Sequence, residues 1–592
     1  MQASRLTAPF RSRPITAIIL NCVCIALLAT QLVLCFRNVV SSSVINDDYR
    51  QNLFWVPSLA SPDLFTKDLL ADYARSFNPP GVRVLYGLAL GMGLTGPVFS
   101  KILSYALFLL FLAGAACLGR AVGGRNARIL VPLLVTLILL NNKYYFRACM
   151  GGLSRNFAFP LQVWMVWALY TRNRPVALMI TLISSLLHPQ TFLLCLVMLL
   201  AWEGIEAARH IAKRRPLRPL LSRFAVILFA AGVSAVPVAT HALSMTSRFG
   251  PVVTSSDIGK MDEFEPGGRW WREKPFGLTL SIVEELRADD QLHRRGHFVF
   301  DLRTGMAIVL CASFVFWSLY LFRHERRRFW RWGPVLVALS CGLLVFIAGD
   351  LLLARLYFPN RFLRPLIPLI VTTLLAERIA MGMPASLRRG GRLAWAGWVG
   401  LVIVGTTRFF SAEQDIGYPV DASEMMPAAA HVRTLPPDSL LAAFPKEDAD
   451  NLSTFGEHSL FIQREVSHPL YRGFLAEVRR RTYVCLTALF PVRGDSDVVP
   501  LAREGVDYVL VNKEMLSAFA RDGKTPDYDE PYGSWLARRL ESADRESILK
   551  HWTVRMRPFV VYEDPRYLLV DITHLQGAAV AAQTLSSPIR LQ

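Results

Sequence analysis

Cysteine forms no pattern in this 592-residue chain that indicates a disulfide framework or a metal site. Of the nine cysteines, only Cys485 lies in the polar stretch from about residue 411 onward, and the others lie in or beside apolar runs. One cysteine cannot form a bridge within that stretch. The same stretch lacks a phosphate-binding loop, a nucleophile elbow and a His/Cys cluster. These absences exclude from it the nucleotide, serine-hydrolase and zinc sites that such motifs build.

Hydrophobic residues make up 53% of the chain, and the mean hydropathy is +0.33. Several apolar runs reach the roughly 20 residues that a helix needs to cross a bilayer. The formal net charge of +19 does not indicate nucleic-acid binding, because the basic residues cluster in short loops between apolar runs. That distribution follows the positive-inside rule. The sequence therefore predicts a polytopic α-helical membrane protein.

Three arginines, Arg5, Arg11 and Arg13, precede the first apolar run and predict a retained signal-anchor with a cytoplasmic N-terminus. About eleven transmembrane helices are predicted, at about 15–36, 98–118, 129–145, 156–170, two short helices within 175–202, then 224–243, 304–322, 334–353, 363–375 and 393–409. This count makes 1–410 a transmembrane domain with external loops 37–97 and 244–303. It places 411–592 outside the cytoplasm.

The break at His188-Pro189-Gln190 decides the topology of the middle of the chain. The run from Pro175 to Trp202 is otherwise apolar, and read as one span it would place the next basic loop outside. The positive-inside rule requires that loop to be cytoplasmic. Because proline disfavours helix at the preceding residue, we predict two half-length helices joined by an external turn at His188.

The first external loop contains a predicted amphipathic helix that begins at Ser61-Pro62-Asp63, a favourable capping sequence. Its apolar residues recur at helical spacing, and Asp68 and Asp72 mark a polar side, so we expect it to lie on the membrane surface. Four aromatic residues in the external loops favour an interfacial belt over a substrate platform: Phe54, Trp55, Trp270 and Trp271.

The stretch 411–592 is predicted to form an extracytoplasmic α/β domain. Buried strands are expected at 439–444 and 506–511, helices at 469–489 and 532–549, and a hairpin at 559–562 and 567–572. Asn451-Leu452-Ser453 fits an N-glycosylation acceptor, a three-residue pattern that is common by chance.

Asp47 and Asp48 stand where the first membrane helix should leave the bilayer. Charge is costly near hydrocarbon, so an acidic pair here is a candidate functional site. The alternative is that the two aspartates end the helix among solvated headgroups. External carboxylates suit a general base or a divalent-cation ligand.

The predicted topology places the other unusual polar residues on the same external side. They are Arg50, Arg155, His188, Gln190, Asp262, Glu263, Arg269, Tyr357, Asn360 and Arg361. Each has a structural alternative: Arg155 snorkelling, Arg361 anchoring the interface, Gln190 capping a half-helix. Arginines beside carboxylates are suited to hold phosphate oxygens. A lipid-phosphate-linked substrate would lie with its tail in the bilayer and its head beside the aspartates.

The chain resembles the GT-C class of integral-membrane glycosyltransferases. The resemblance rests on Asp47-Asp48-Tyr49-Arg50 after the first helix, the long external loop, the short membrane helices and the C-terminal external stretch. Residues 48–73, 249–269 and 356–361 also look like a branch of bacterial membrane proteins of this type.

The resemblance implies inverting transfer of a sugar from a polyprenyl-phosphate donor to a glycan, lipid or protein acceptor outside the cytoplasm. Asp47 or Asp48 would be the base that deprotonates the acceptor, and Arg155 or Arg361 would hold the donor phosphate. Asp262 and Glu263 only suggest the second acidic motif of a metal-dependent branch, so a divalent cation is an open expectation. The implied location is the bacterial inner membrane.

Two other functions remain open from the sequence. A transporter or flippase would be expected to carry charged residues near mid-membrane, where Asp350 is the one acid near a helix core, and no inverted repeat is evident. A non-catalytic membrane scaffold, whose external part binds a partner protein, is compatible with the absence of a known site motif in that part. Convergence of Asp47, Asp48, Arg155, His188 and Arg361 would favour catalysis.

Overall fold

The computed structural model describes residues 41–141, 143–270, 323, 332–352, 359–380, 417–541 and 543–576. The residues up to 380 are mainly helical, and those from 417 onward combine helices with a sheet. The predicted helices at 15–36, 304–322 and 393–409 lie outside the described residues, as do Trp271 and Tyr357.

The first part contains twelve helices within the described residues. They are α1 (Asp47–Asn52), α2 (Leu69–Phe77), α3 (Pro80–Gly91), α4 (Gly96–Asn141), α5 (Lys143–Cys149), α6 (Ala158–Thr171), α7 (Arg174–Leu187), α8 (Pro189–Ala212), α9 (Arg218–Phe249), α10 (Ser255–Ile258), α11 (Gly333–Leu352) and α12 (Leu366–Ala380). Among the described residues, three stretches are long and apolar enough to cross a membrane: Gly96–Gly124, Pro189–Ala212 and Arg218–Phe249. Shorter apolar helices lie among them, and the count of eleven spans stays a prediction.

Gly124 joins two helices that were predicted separately. Its φ of +76° interrupts the helical backbone of α4 between the predicted spans at 98–118 and 129–145. Glycine tolerates this left-handed region because it has no Cβ. Helix α4 therefore has a kink at Gly124, between the two predicted spans.

The predicted break at His188 is confirmed. His188 has extended backbone angles and closes α7, where its N–H donates to the Ser184 carbonyl at 2.8 Å. It also caps α8, which begins at Pro189 and extends over 24 residues to Ala212, so the prediction of a half-length helix was wrong for α8. Proline suits this first position because the N–H that it lacks would have had no partner in the helix.

The helix predicted to begin at Ser61 begins instead at Leu69, so that boundary was wrong. The carboxylate of Asp68 caps α2: Oδ1 accepts from the backbone N–H groups of Leu70 and Ala71, at 2.7 and 2.9 Å. Its other oxygen accepts from the N–H of Leu460 at 3.0 Å. Three backbone donors on one carboxylate make a stronger helix start than Ser61 offers.

The prediction that α2 lies on the membrane surface was also wrong. Asp68 is buried rather than on a polar side, and Tyr73 is buried in a stack on Phe474 with ring centroids 3.8 Å apart. Phe54 and Trp55 are likewise fully buried and do not form an interfacial belt. The reason is that the C-terminal residues cover this loop.

Two short strands, β1 (Val44–Asn46) and β2 (Pro419–Asp421), pair with each other. The residues after β2 contain five more strands: β3 (Leu440–Ala443), β4 (Ser459–Leu460), β5 (Tyr508–Asn512), β6 (Val560–Glu563) and β7 (Tyr567–Asp571). These five form one sheet in the order β4-β3-β5-β7-β6. The helices are α13 (Met426–Val432), α14 (Glu447–Gly456), α15 (Arg472–Leu489), α16 (Asp495–Arg503), α17 (Lys513–Asp522), α18 (Tyr532–Glu541) and α19 (Arg545–Lys550). The strands predicted at 439–444 and 506–511 are present within a residue or two. The helix predicted over 532–549 is divided between α18 and α19.

One hydrophobic core joins the first external loop to the sheet. It extends from Ile45, Trp55 and Tyr73 to Leu441 and Val509 without interruption. A second core lies among α4, α6, α8, α11 and α12. The loop that carries Asp47 and Asp48 is therefore packed between the membrane helices and the C-terminal sheet.

Candidate active site

Helix α1 begins at the two aspartates because Asn46 caps it. The Asn46 side chain accepts from the N–H of Asp48 at 2.8 Å, and both acids lie in the first turn, where the helix dipole favours negative charge. The β1–β2 pairing holds this start in place, and the Asp47 N–H donates to the Tyr418 carbonyl at 2.7 Å. Neighbouring residues in a helix point about 100° apart. The two carboxylates therefore reach different partners.

Asp48 pairs with Arg155 through both of its carboxylate oxygens. Arg155 Nη1 lies 2.9 Å from Oδ1, and Nη2 contacts Oδ2. Arg155 belongs to the 3₁₀ turn Ser154–Phe157, which immediately precedes α6. A planar guanidinium on a carboxylate in this two-bond geometry is well oriented. Asp48 thus holds Arg155 in place just before the N-terminal end of α6.

Tyr418 brings a second arginine to the same place. The guanidinium carbons of Arg147 and Arg155 lie 4.9 and 5.7 Å from the centroid of the Tyr418 ring. An aromatic face attracts cations at these distances. Two positive side chains are therefore gathered around one ring beside α1.

Arg361 adds further positive charge from the turn Pro359–Phe362, between α11 and α12. Burial lowers its pKa, the nearby Arg155 and Arg364 lower it further, and Asp48 acts in the opposite direction. A guanidinium nevertheless stays protonated at neutral pH. We refer to Arg147, Arg155, Arg361 and Arg364 as the arginine cluster, a concentration of positive charge near the N-terminal ends of α6 and α12.

His188 lies close to this cluster and is electrically neutral. Burial lowers its pKa to about 3, and the charges of Arg361 and Arg155 act in the same direction. Its Nδ1 accepts from the Thr191 N–H at 3.3 Å and contacts the Thr191 hydroxyl at 2.8 Å, which assigns the proton to Nε2. Gln190, in the first turn of α8, has a buried Oε1 with no hydrogen-bond partner among the described residues.

Asp47 faces the C-terminal sheet instead. Its Oδ1 accepts from Arg50 Nε at 3.1 Å, and Arg50 Nη1 donates to Asn451 Oδ1 at 2.6 Å. The Asp47 side chain is 34% exposed, and within the described part of the chain its Oδ2 receives no hydrogen bond. Asn451 is buried and engaged by Arg50, so it is not a glycosylation acceptor in this fold.

Arg269 is neutralised by Glu465 at 2.6 Å, and it also donates to the Arg464 carbonyl. Glu263 binds Arg479 of α15 through both oxygens, at 2.6 and 2.5 Å. Over the described ranges, no group of three or more His, Cys, Asp or Glu side chains could hold a metal ion. Neither Glu263 nor Asp48 has a free carboxylate oxygen for a divalent cation, which prefers several oxygen ligands.

The structure brings together Asp48, Arg155, His188 and Arg361, with Asp47 on the neighbouring position of α1. Asn360 is in the same turn as Arg361. Arg50 and Arg269 lie on the side of the C-terminal sheet, and Asp262 and Glu263 pack toward α15. Sequence reasoning missed Tyr418, Arg147 and Arg364. Tyr418 carried no local signal, since it follows the last predicted span by a few residues and is brought to the site by the β1–β2 pairing.

Comparison with solved structures gives likenesses at low sequence identity. ArnT from Cupriavidus metallidurans bound to undecaprenyl phosphate is similar with a TM-score of 0.49 and 12% identity, over 92% of this chain and 97% of that one. The Archaeoglobus fulgidus oligosaccharyltransferase in complex with Zn and sulfate is similar with a TM-score of 0.45 and 12% identity, over 86% of this chain and 70% of that one. No family model and no curated protein matches the chain.

Proposed function

We propose that this protein is a membrane glycosyltransferase that moves a sugar from a polyprenyl-phosphate donor to an acceptor outside the cytoplasm, with inversion at the anomeric carbon. The observation that carries the proposal is that the two aspartates at the start of α1 have different partners. Asp48 is held by the arginine cluster, while the adjacent Asp47 keeps a carboxylate oxygen that no described residue engages.

The arginine cluster supports a phosphate-linked donor. Burying like charges beside one another costs free energy, which an anionic ligand offsets. The cluster lies at the N-terminal ends of α6 and α12, which we assign to the external side of the membrane, so a phosphate bound there would leave its polyprenyl tail in the bilayer. Guanidinium groups suit phosphate oxygens because they donate two parallel hydrogen bonds.

Asp47 is then the general base. Its Oδ2 takes the proton of an acceptor hydroxyl, and the hydroxyl oxygen bonds to the anomeric carbon of the sugar. The bond from that carbon to the phosphate oxygen breaks, and its electron pair leaves on the phosphate. The arginine cluster stabilises this developing charge. Attack opposite to the leaving phosphate inverts the configuration.

Neutral His188 contributes to the donor side without adding positive charge. A neutral imidazole with its proton on Nε2 offers one hydrogen-bond donor beside Arg361. Arg155 engages both oxygens of Asp48, so Asp47 Oδ2 is the one open carboxylate oxygen that the two aspartates offer among the described residues, and the proposed mechanism has no step through a divalent cation.

A non-catalytic scaffold is less well supported by this site. A scaffold has no need for a buried arginine of lowered pKa and a buried histidine of lowered pKa gathered beside Asp48, a combination that marks functional sites. The convergence of Asp48, Arg155, His188 and Arg361 therefore favours catalysis. The setting we propose is the bacterial inner membrane, with the site and the C-terminal sheet on the external side.

The test uses the full chain in lipid nanodiscs with a panel of radiolabelled polyprenyl-phosphate sugars. We expect at least one donor to bind and to release its sugar slowly to water. We also expect binding to weaken as salt rises, because phosphate recognition by arginines is screened. Failure to bind or hydrolyse any donor, with the protein folded, would overturn the proposal and favour the scaffold.

A further inference from the structure

The segment 461–468, immediately after β4, lies beside α1, the helix that begins with Asp47. Strands β3, β4 and β5 are parallel, with β3 between the other two. The chain leaves β3 toward β4 on one side and later reaches β5 on the other, so a topological switch point lies between the carboxyl ends of β3 and β5, and the segment follows the neighbouring strand β4 at the same end of the sheet. Such points open a crevice at the carboxyl ends of the strands, where ligands commonly bind.

Two buried side chains of this segment carry polar atoms that have no hydrogen-bond partner among the described residues. Gln463 has no exposed surface, and neither its amide oxygen nor its amide nitrogen is hydrogen-bonded to any described residue. His468 is 5% exposed, and its Nδ1 is likewise without a partner. Burying polar atoms in this way destabilises a fold unless water or a ligand pairs with them.

Contacts of Gln51 place this segment one helical turn from Asp47. The Gln51 amide nitrogen lies 2.7 Å from the Glu465 carbonyl and 2.6 Å from His468 Nε2. Residues four apart share one face of a helix, so Gln51 and Asp47 lie side by side on α1. The amide nitrogen donates, which makes His468 Nε2 the acceptor and puts the proton on Nδ1. The unpartnered atom of His468 is therefore a buried donor.

The arginines of this region pair with carboxylates of the same region. Arg50, Arg269 and Arg464 pair with Asp47, Glu465 and Asp529 respectively. The buried Asp450 accepts from the Glu465 N–H, and burial together with the charge of Glu465 raises its pKa. Each of these three guanidinium groups has a carboxylate partner among the described residues, so the region suits a neutral ligand.

We propose that Gln463 and His468 form the acceptor subsite and that the acceptor is a neutral carbohydrate. Hydroxyl groups both donate and accept, so they can satisfy the amide oxygen, the amide nitrogen and the imidazole N–H together. Trp270 and Phe77, whose rings pack on His468, provide the apolar surface that small-molecule sites combine with a few polar groups. The assignment rests on the proposed glycosyltransferase function.

The test compares Gln463→Leu and His468→Phe with the wild type in nanodiscs. The controls are Gln576→Leu and His574→Phe, which follow β7 at the opposite end of the sheet. The acceptor probes are radiolabelled methyl glycosides of one or two sugar units, tested against short peptides that contain Ser, Thr and Asn. We expect the KM for the glycoside to rise at least about tenfold. The donor Kd should stay unchanged.

Direct binding of the radiolabelled glycosides gives a readout that needs no transfer. The wild type could bind a glycoside, lose that binding in the Gln463→Leu variant, and yet use no donor. That result would support the subsite and overturn the proposed function. Folded variants with wild-type glycoside binding and KM would mean that buried water satisfies these atoms, which overturns the subsite. Transfer to the peptides but not to the glycosides would overturn the carbohydrate assignment.

Discussion

Arg155 and Asp48, which are 107 residues apart in the chain, form a two-bond ion pair with Nη1 2.9 Å from Oδ1. We expect Arg155→Gln to weaken donor binding by about 10- to 100-fold, the loss of one bidentate charged contact, and Arg155→Lys not to restore it. In a double-mutant cycle, Asp48→Asn and Arg155→Gln should couple by about 0.5–3 kcal/mol. The donor Kd is the measurement, and exposed Arg215→Gln is the control. Additive effects would contradict the pairing.

Asp47 and Asp48 should separate kinetically. We expect Asp47→Asn to lower kcat by about 10²- to 10⁴-fold, the usual contribution of a general base, with the donor Kd nearly unchanged. Asp48→Asn should act mainly on donor affinity. Single-turnover transfer and donor binding distinguish the two effects. Asp63→Asn, an exposed aspartate of the same loop, should behave as the wild type. Retained kcat in Asp47→Asn would exclude Asp47 as the base.

Asp68 should be the most sensitive acid for stability in the first external loop. Asp68→Ala removes the cap of α2 and leaves buried N–H groups without an acceptor, so we expect about 2–4 kcal/mol of destabilisation. Asp72→Ala is the matched control on the same helix. Its ion pair with Arg248 is partly exposed and is worth about 0–1 kcal/mol. Thermal unfolding in nanodiscs compares the two, and equal effects would contradict the capping role.

His188 and His468 should make the protein sensitive to acid. Burial lowers the pKa of each to about 3, below the unfolded value of about 6.5. The unfolded chain then binds more protons as the pH falls below about 6.5, so stability is lost on acidification and retained above that pH. The expected loss from about pH 7.5 to about pH 5 is about 2 kcal/mol for each histidine. His468→Gln should flatten the pH dependence of the unfolding midpoint, and an unchanged profile would contradict this.

Sidedness can be tested with introduced cysteines. Because β1 pairs with β2, the start of the first loop and the start of the C-terminal part share one side of the membrane. A membrane-impermeant maleimide applied to intact cells should label Asp63→Cys and Asp438→Cys but not Arg215→Cys. Labelling of Arg215→Cys alone would invert the predicted orientation.

Local chemistry made parts of the site predictable. The break at His188 follows from a proline and a capping side chain, and the start of α1 follows from Asn46 and two acids in its first turn. The first helix boundary in the loop was missed because Ser61 and Asp68 both offer caps. Only the distant N–H of Leu460 gives Asp68 its third donor.

Hydropathy and basic-loop asymmetry, which depend on composition along a segment, determined the membrane class, the predicted sidedness and the candidate position of Asp47 and Asp48. Tertiary structure alone decided which aspartate is held and which stays open, since Asp48 meets Arg155 whereas Asp47 faces the C-terminal sheet. It also decided that Phe54, Trp55 and Tyr73 are buried. Those outcomes depend on contacts between residues about 400 positions apart, such as Arg50 with Asn451, and no local pattern encodes them.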